Sequence, residues 1–270
     1  PRLAELRHSP EERKIAVAVT RLIEGSELAT TRPAWRGQDP YTLRCIPQVL
    51  GATAYAIATA RTVIDRELNA VSDNPLVFEK DEFISGGNFH GQHLALALDS
   101  LALGVHYLGA FAERRVSRLV HPSLNRGLPP FLAPEPGLSN GLMIPQYVAA
   151  SLVNENVTLV QPASAVSIPT SADQEDFVSM GAWAGAKLRR ILQNVRRILA
   201  IEWMVGGQAV ELRRPKRGGK GTELALRTLR ESVAPWTEDR SPASDLEAIE
   251  RRLTDGSLLD PVRKSVSIEL

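Results

Sequence analysis

Residues 182–213 read AWAGAKLRRILQNVRRILAIEWMVGGQAVELR, thirty-two positions with neither proline nor a loop cluster. Leu188, Ile191, Leu192, Val195, Ile198, Leu199 and Ile201 return at steps of three and four, with one extra apolar position. Lys187, Arg189, Arg190, Arg196 and Arg197 fill much of the rest. That is one apolar stripe on a helix. At ~1.5 Å per residue the helix is a rod of roughly 48 Å, too long for a small isolated domain. Such a rod needs partners along its length, and burial by other chains is expected.

The flanking chain reads the same way. His93 to Leu119 carries Leu94, Leu98, Leu101, Val105, Leu108 and Ala112 at alternating steps of four and three, and stays mostly apolar until Glu113, Arg114 and Arg115. It predicts a helix buried on several sides. Pro47 to Leu68 is alanine-rich at 52, 54, 56, 58 and 60, which allows close helix approach. Tyr147 to Val160 is a further helix candidate. Pro10 to Gly25 and Ser244 to Leu253 read as shorter amphipathic helices, the latter capped by Ser244 or Asp245 and followed by Gly256. No alternating strand pattern of convincing length appears, so the fold class is all-α. Residues 121–145 hold six prolines and three glycines, yet also Leu124, Leu128, Phe131, Leu132, Leu138 and Leu142. This predicts an ordered loop packed on the bundle or on another subunit. Residues 213–221, RRPKRGGKG, read as a mobile basic surface loop. Three regions result: 1–37, a helical segment; 38–213, the bundle region with its loops; and 214–270, a helical tail.

Composition excludes several function classes. Thirty-two Lys and Arg face 31 Asp and Glu among 270 residues, for a net charge of +1. No field gathers phosphates, so nucleic acid is not an expected partner. A hydrophobic share of 43% with mean hydropathy −0.12 is an ordinary soluble composition. No apolar run of about 18 residues predicts a membrane span. Cys45 is the single cysteine, lacks an activating pattern, and suits a reducing compartment. Pro1 to Leu6 mixes charge with no apolar core, so no signal peptide is expected, and a chain starting at proline is expected to be processed or cut. A cytoplasmic location follows as an expectation.

Polar residues gather in four islands: QDPYTLR at 38–44, NAVSDNP at 69–75, SGGNFHG at 85–91 and PTSADQED at 169–176. An unpaired buried polar group costs roughly 1–3 kcal/mol. Four such islands beside apolar helices therefore suggest a site. Tyr41 and Arg44 share a helical face if Pro40 opens a helix. Arginine offers a bidentate fork for a carboxylate, and tyrosine beside a cation suits proton transfer. Asn69, Asp73, Asn74 and Pro75 also suit a plain turn. His90 and His93 are three apart, as on one helix face, but no spacing such as HExxH accompanies them, and no metal is predicted. Glu175 and Asp176 read either as a capping region before the long helix or as a general acid/base or cation clamp.

Together the islands resemble the aromatic amino acid ammonia-lyase family, and within it the histidine lyases. The matching stretches, in family order, are QDPYTLRC, ELNAVSDNPLVF, ISGGNFHGQ, LGAFAERRVSRL, GLPPFL, PGLSNGLMIPQ, PASAVSIPTSADQEDFVSMGAWA and the KLR…LAIE run to QAVELR. The resemblance covers nearly the whole chain and corresponds to the C-terminal half of such an enzyme. It implies an all-α fold of long antiparallel helices, a central bundle shared between subunits of a homotetramer, and active sites formed by three subunits. It implies elimination of ammonia from an L-amino acid, urocanate being the product from histidine. The electrophile would be 4-methylidene-imidazol-5-one, made from an internal Ala-Ser-Gly.

By the same resemblance Arg44 grips the substrate carboxylate, Tyr41 sits near the electrophile, and Gln38 is a neighbouring hydrogen-bonding group. Phe89 packs at the electrophile or substrate ring. Glu175 faces the side-chain end or shares in proton handling, and favours an imidazole. The chain departs from the family at two points. Ala-Ser-Gly is absent, the nearest pieces being Ile84-Ser85-Gly86 and Ala163-Ser164-Ala165, so the chain is expected to be inactive without the N-terminal half. Phe177 follows Glu175-Asp176 where histidine lyases typically carry histidine, which admits a phenylalanine or tyrosine lyase or an aminomutase. A non-catalytic helical scaffold or assembly partner is the alternative of another class.

Overall fold

A computed structural model of the chain describes residues 1–29 and 37–268, so positions 30–36 of the first expected region lie outside the described residues. The 3.6-residue periodicity is realised as helices throughout. In chain order these are α1 (Arg2–Glu5), α2 (Pro10–Leu22), α3 (Tyr41–Arg44), α4 (Ile46–Glu67), α5 (Gln92–Val120), α6 (Met143–Leu159), α7 (Gly181–Glu211), α8 (Lys220–Arg230), α9 (Ala243–Thr254) and α10 (Asp260–Ser265). The expected long helices are present, each within a few residues of its predicted bounds.

The all-α class holds, with one short hairpin as its sheet content among the described residues. β1 (Leu76–Phe78) pairs antiparallel with β2 (Glu82–Ile84), Val77 facing Phe83. Three-residue strands are too short for alternation to register in a sequence. The turn between them places Lys80 and Asp81 at positive φ.

Helices α5 and α7 lie side by side and run in the same direction, with α6 as the return between them. The offset between facing residues is nearly constant. Gly181 lies against Ala95, Lys187 pairs with Asp99, Glu202 pairs with Arg115, and Arg213 reaches the carbonyls of Asn125 and Arg126. Close approach is set by Gly109, where a Cβ would stand 2.8 Å from Val195 Cγ2. Helix α4 meets the other side of α5 at Gly104, where a Cβ would stand 2.7 Å from the Cβ of Ala56. The alanine-rich segment thus does what its composition predicts. By composition α5 is long and apolar enough to cross a membrane. In the fold it is the central helix, packed on α4, α6 and α7, with Asp99 buried in an ion pair.

Much of the α7 stripe is covered by its own chain, while Leu192 stays 43% exposed. Leu188, Ile191, Val195, Ile198 and Ile201 are buried, and α5, α6, α8 and α9 pack on the helix. The proline-rich 121–145 segment is packed as expected: Leu128, Leu132 and Leu142 enter the main core, although Leu124 and Leu138 stay exposed.

Residues 213–221 are a connection at the surface, with 214–217 exposed, as expected, and hydrogen bonds tie it to other parts of the chain. Arg214 makes a two-pronged pair with Glu223, whose Oε1 also accepts the Gly218 amide at 2.6 Å. The Arg214 guanidinium holds the Glu223 carboxyl below its ordinary range. The Arg217 amide donates to Glu27 Oε2, and the Lys220 amide to the Glu24 carbonyl. The acids that order the basic run lie elsewhere in the chain, and Lys220 already belongs to α8. The capping expectation for α9 fails. The helix starts at Ala243, so Ser244 and Asp245 lie inside its first turn, and Pro242 at the cap position has no side-chain acceptor; the Asp245 carboxylate accepts Arg240 Nη2 at 2.8 Å. Gly256 does take the left-handed conformation beyond the helix, at φ +82°.

Two glycines separate packing from propensity. A Cβ at Gly219 would collide with the backbone of Ile23, whereas one at Gly206, inside α7, would meet nothing within 4 Å. We expect Gly219→Ala to cost about 1–3 kcal/mol and Gly206→Ala to gain up to about 1 kcal/mol. Denaturant unfolding midpoints of the two variants check both signs.

Candidate active site

Pro40, at φ −62° and ψ 159°, precedes the single turn of α3. A spacing of three puts Arg44 over Tyr41, with Cζ 4.6 Å from the ring centroid. The shared face predicted from the sequence is therefore formed. Tyr41 is 67% exposed, and Gln38 is exposed just ahead of it. Between them, the Asp39 carboxylate accepts Arg126 Nη2 at 2.5 Å. The carbonyls of Asn125 and Arg126 accept Arg213 Nη2 at 3.1 and 2.7 Å. Asn125 lies in the turn directly after α5, its amide bonded to the His121 carbonyl. The island 38–44 is thus tied to the C-terminal ends of α5 and α7.

The other islands meet at the opposite end. The hairpin brings NAVSDNP and SGGNFHG together, with Asn74 Oδ1 accepting the Gly86 amide at 2.9 Å. His90 sits in a turn, its amide bonded to the Gly87 carbonyl, and α5 begins only at Gln92. His90 and His93 therefore do not share a helix face. His90 Nε2 instead donates to the Phe177 carbonyl at 2.9 Å, and the two rings stack at 6.2 Å. Phe89, the neighbour of His90, is 55% exposed.

Glu175 is held by Thr170. Their amides and carbonyls exchange hydrogen bonds, and Thr170 Oγ1 donates to Glu175 Oε2 at 2.6 Å. The capping reading of Glu175 fails, because α7 starts at Gly181 after Met180, with no side-chain cap. An oriented, exposed carboxylate remains, suited to pair with a cationic or N–H-bearing group.

The loop that carries Glu175 is anchored at its base by a buried ion pair. Lys187 Nζ lies 3.2 Å from Asp99 Oδ1 and also donates to the Gln161 carbonyl, and Asp99 Oδ2 accepts the Ser164 amide at 2.8 Å. Val178 closes the loop by donating its amide to Ser167 Oγ at 2.7 Å. Burial pushes the Asp99 carboxyl up, but hydrogen bonds from Ser164, Ala163 and Lys187 outweigh it and leave the group below its ordinary value. Sequence reasoning passed over Asp99 and Lys187. The signal was there, as each is the single ion in an otherwise apolar or small-residue turn, LALALDSLALG and WAGAKL.

The candidate residues thus form two groups. Gln38, Tyr41 and Arg44 stand at one end of α5, and Phe89 and Glu175 at the other. The 29 residues of α5 separate them by roughly 43 Å at ~1.5 Å per residue. One chain does not bring them together. It also holds no Ala-Ser-Gly: Ala163-Ser164-Ala165 is a 3-10 turn whose central amide is committed to Asp99, and Ser85-Gly86 follows β2. The residues present do not fit as the source of the family's electrophile.

Comparison with known proteins follows the same lines. The sequence model described as aromatic amino acid lyase matches residues 1–231. The chain is 52% identical over 263 residues to a histidine ammonia-lyase of Symbiobacterium thermophilum, covering 97% of this chain and 52% of that protein. A histidine ammonia-lyase of Natranaerobius thermophilus is 46% identical, with 98% and 52% covered. The crystal structure of histidine ammonia-lyase from Trypanosoma cruzi superposes with a TM-score of 0.88 at 39% identity, over 99% of this chain and 49% of that one. Tyrosine aminomutase from Streptomyces globisporus superposes at 0.89 with 34% identity, over 98% and 54%. The chain spans about half the length of the curated relatives it matches.

The Asp99–Lys187 pair sets an acid limit on stability. A carboxyl whose folded pKa is depressed contributes stability above its unfolded value, ~4, and loses it as pH falls through the folded value. Asp99→Asn is expected to cost about 3–5 kcal/mol at pH 7, because it strands a buried lysine, and to flatten the decline in stability below pH ~4. Unfolding curves at pH 7 and across the acid range, for both proteins, measure each part.

Proposed function

The chain belongs to the aromatic amino acid lyase family, and from that premise we propose that it is part of a carbon–nitrogen lyase that eliminates ammonia from L-histidine to give trans-urocanate. The supporting observations are its relatives named histidine ammonia-lyase and the carboxylate of Glu175. In this reaction the Cα–N bond breaks, a β-proton leaves, the C=C bond forms, and ammonia carries off its electron pair. Arg44 would take the substrate carboxylate in a two-pronged grip. Tyr41, with a cation over its ring, would handle a proton near the reacting carbons. Gln38 would donate or accept beside them. Phe89 would pack on the flat ring, and Glu175 would pair with the imidazole.

This division of labour needs two chains. Arg44 and Tyr41 from one copy would meet Phe89 and Glu175 from another running the opposite way, since one chain keeps them at opposite ends of α5. Exposed apolar residues suit such an assembly: Leu96, Leu103 and Tyr107 on α5, and Ile144, Tyr147 and Val148 on α6. The proposed assembly is a homotetramer completed by the N-terminal half that the longer relatives possess, which would bring Ala-Ser-Gly and with it 4-methylidene-imidazol-5-one. No metal takes part in the proposal, and the cytoplasm is the proposed compartment. A second reading rests on Phe177: an apolar residue two positions from Glu175 suits a phenyl ring, as in a phenylalanine or tyrosine lyase or aminomutase.

The 270-residue chain alone is expected to show no formation of urocanate, cinnamate or coumarate by ultraviolet absorbance. Turnover well above background, in material free of the other half, would overturn the dependence on it. With that half supplied, Arg44→Ala is expected to weaken substrate binding roughly ten- to 150-fold, the equivalent of one charge-assisted contact of about 1.5–3 kcal/mol. Arg44→Lys should recover only part of this, because an ammonium is a point charge. Glu175→Gln should lower the histidine-to-phenylalanine ratio of specificity constants; an unchanged ratio would leave Glu175 without a role in reading the side chain.

A further inference from the structure

We infer that His90 is a positioning residue, holding the loop that carries Phe89 and the loop that carries Glu175 as one unit. The inference rests on the proposed function for its meaning, but its geometry stands alone. His90 and Phe177 are 87 residues apart in sequence, yet Nε2 lies 2.9 Å from the Phe177 carbonyl. A carbonyl only accepts, so Nε2 carries the proton in this contact. The same rings stack at 6.2 Å between centroids, with 17° between their planes. Two different interactions thus join one residue pair.

Each side of the pair is fixed to a different candidate residue. On one side, His90 adjoins Phe89, and its amide is fixed to the Gly87 carbonyl at 2.9 Å. On the other, Phe177 lies two residues past Glu175, which Thr170 holds through three hydrogen bonds. The Val178 amide, next in the chain, is bonded to Ser167 Oγ at 2.7 Å. Movement of the Phe89 loop therefore reaches Glu175 through His90 and a short, internally bonded segment. The α5–α7 register fixes where the two loops begin, and beyond the helix ends both are largely exposed, so the His90–Phe177 contact is what joins them there. A substrate ring packed on Phe89 and paired with Glu175 needs that separation constant. His90 touches neither substrate nor reacting atoms in this arrangement; it acts through its neighbours.

Three variants separate the parts of the contact. His90→Gln keeps an N–H donor, His90→Phe keeps a stacking ring, and His90→Ala keeps neither. The first measurement is amide hydrogen exchange over residues 166–180 in the 270-residue chain, with its thermal midpoint. Exchange at Val178 and its neighbours is expected to rise about threefold to tenfold in His90→Ala, the loss of one exposed hydrogen bond, and to return towards wild type in His90→Gln. Exchange in the interiors of α5 and α7 should stay constant. Unchanged exchange in the loop, or a uniform rise through both helices with a lowered midpoint, overturns the proposal. The second measurement is the histidine-to-phenylalanine ratio of specificity constants in the complete lyase, this chain joined by the rest of a family-length polypeptide. The ratio should fall with His90→Ala and be rescued by His90→Gln. If loop exchange responds while the complete protein turns over neither amino acid, the positioning role stands and the proposed function fails.

Discussion

The register between α5 and α7 is the constraint on which the rest of the structure depends. Two helices of 29 and 31 residues lie side by side in the same direction. Apolar stripes alone allow them to slide, because one Leu or Ile fills a groove much as another does. The buried pair Asp99–Lys187 removes that freedom. A shift of one turn, about 5.4 Å, would leave a buried carboxylate and a buried ammonium without partners. Its net contribution to stability is small, since desolvation offsets much of the attraction. Its effect is to select one alignment. Arg115–Glu202 and Arg213 with the carbonyls at 125–126 then fall into place farther along, and His90–Phe177 at the near end.

From that alignment follows the position of every polar island. The turn after α5 meets the end of α7, and Arg126 reaches from there to Asp39, so Tyr41 and Arg44 are fixed at this end. The loop that enters α7 is anchored at Asp99, so Glu175 is fixed at the other. The Arg126–Asp39 pair is half-exposed, and such pairs contribute at most about 1 kcal/mol. It directs the segment more than it stabilises it. The candidate residues are thus set at the two ends of one rod.

The helices were legible because their apolar periodicity is local, and α4, α5, α6, α7 and α9 needed no knowledge of neighbours. Part of what failed had its cause elsewhere in the chain. RRPKRGGKG reads as an unanchored loop only while Glu27 and Glu223 are out of view. Ser244 and Asp245 read as caps, but the helix begins ahead of both, at Ala243. The hairpin escaped notice because its strands are three residues long. The site behaves alike. Tyr41 with Arg44 is a spacing of three and could be read directly. The partners of His90 and Asp99 lie about 87 residues away, beyond the reach of any local pattern.

Separation of the two groups has a physical consequence for chemistry. Elimination from an amino acid develops charge at carbon and nitrogen, and a fork such as Arg44 is worth most where water is excluded. In one chain neither group has that shelter, as Tyr41, Phe89 and Phe177 are each more than half exposed. The same aromatic residues that leave the half-sites open would, against a second surface, become the walls of a dry pocket. An all-helical rod suits this arrangement better than a single enclosed cavity would. Its rigidity fixes the distance between its two ends, and in the proposed assembly antiparallel copies would bring the Arg44 end of one to the Glu175 end of the next. On the proposed function, the exposed faces of α5 and α6 and the exposed aromatic residues at each end would be covered by the same contacts between copies.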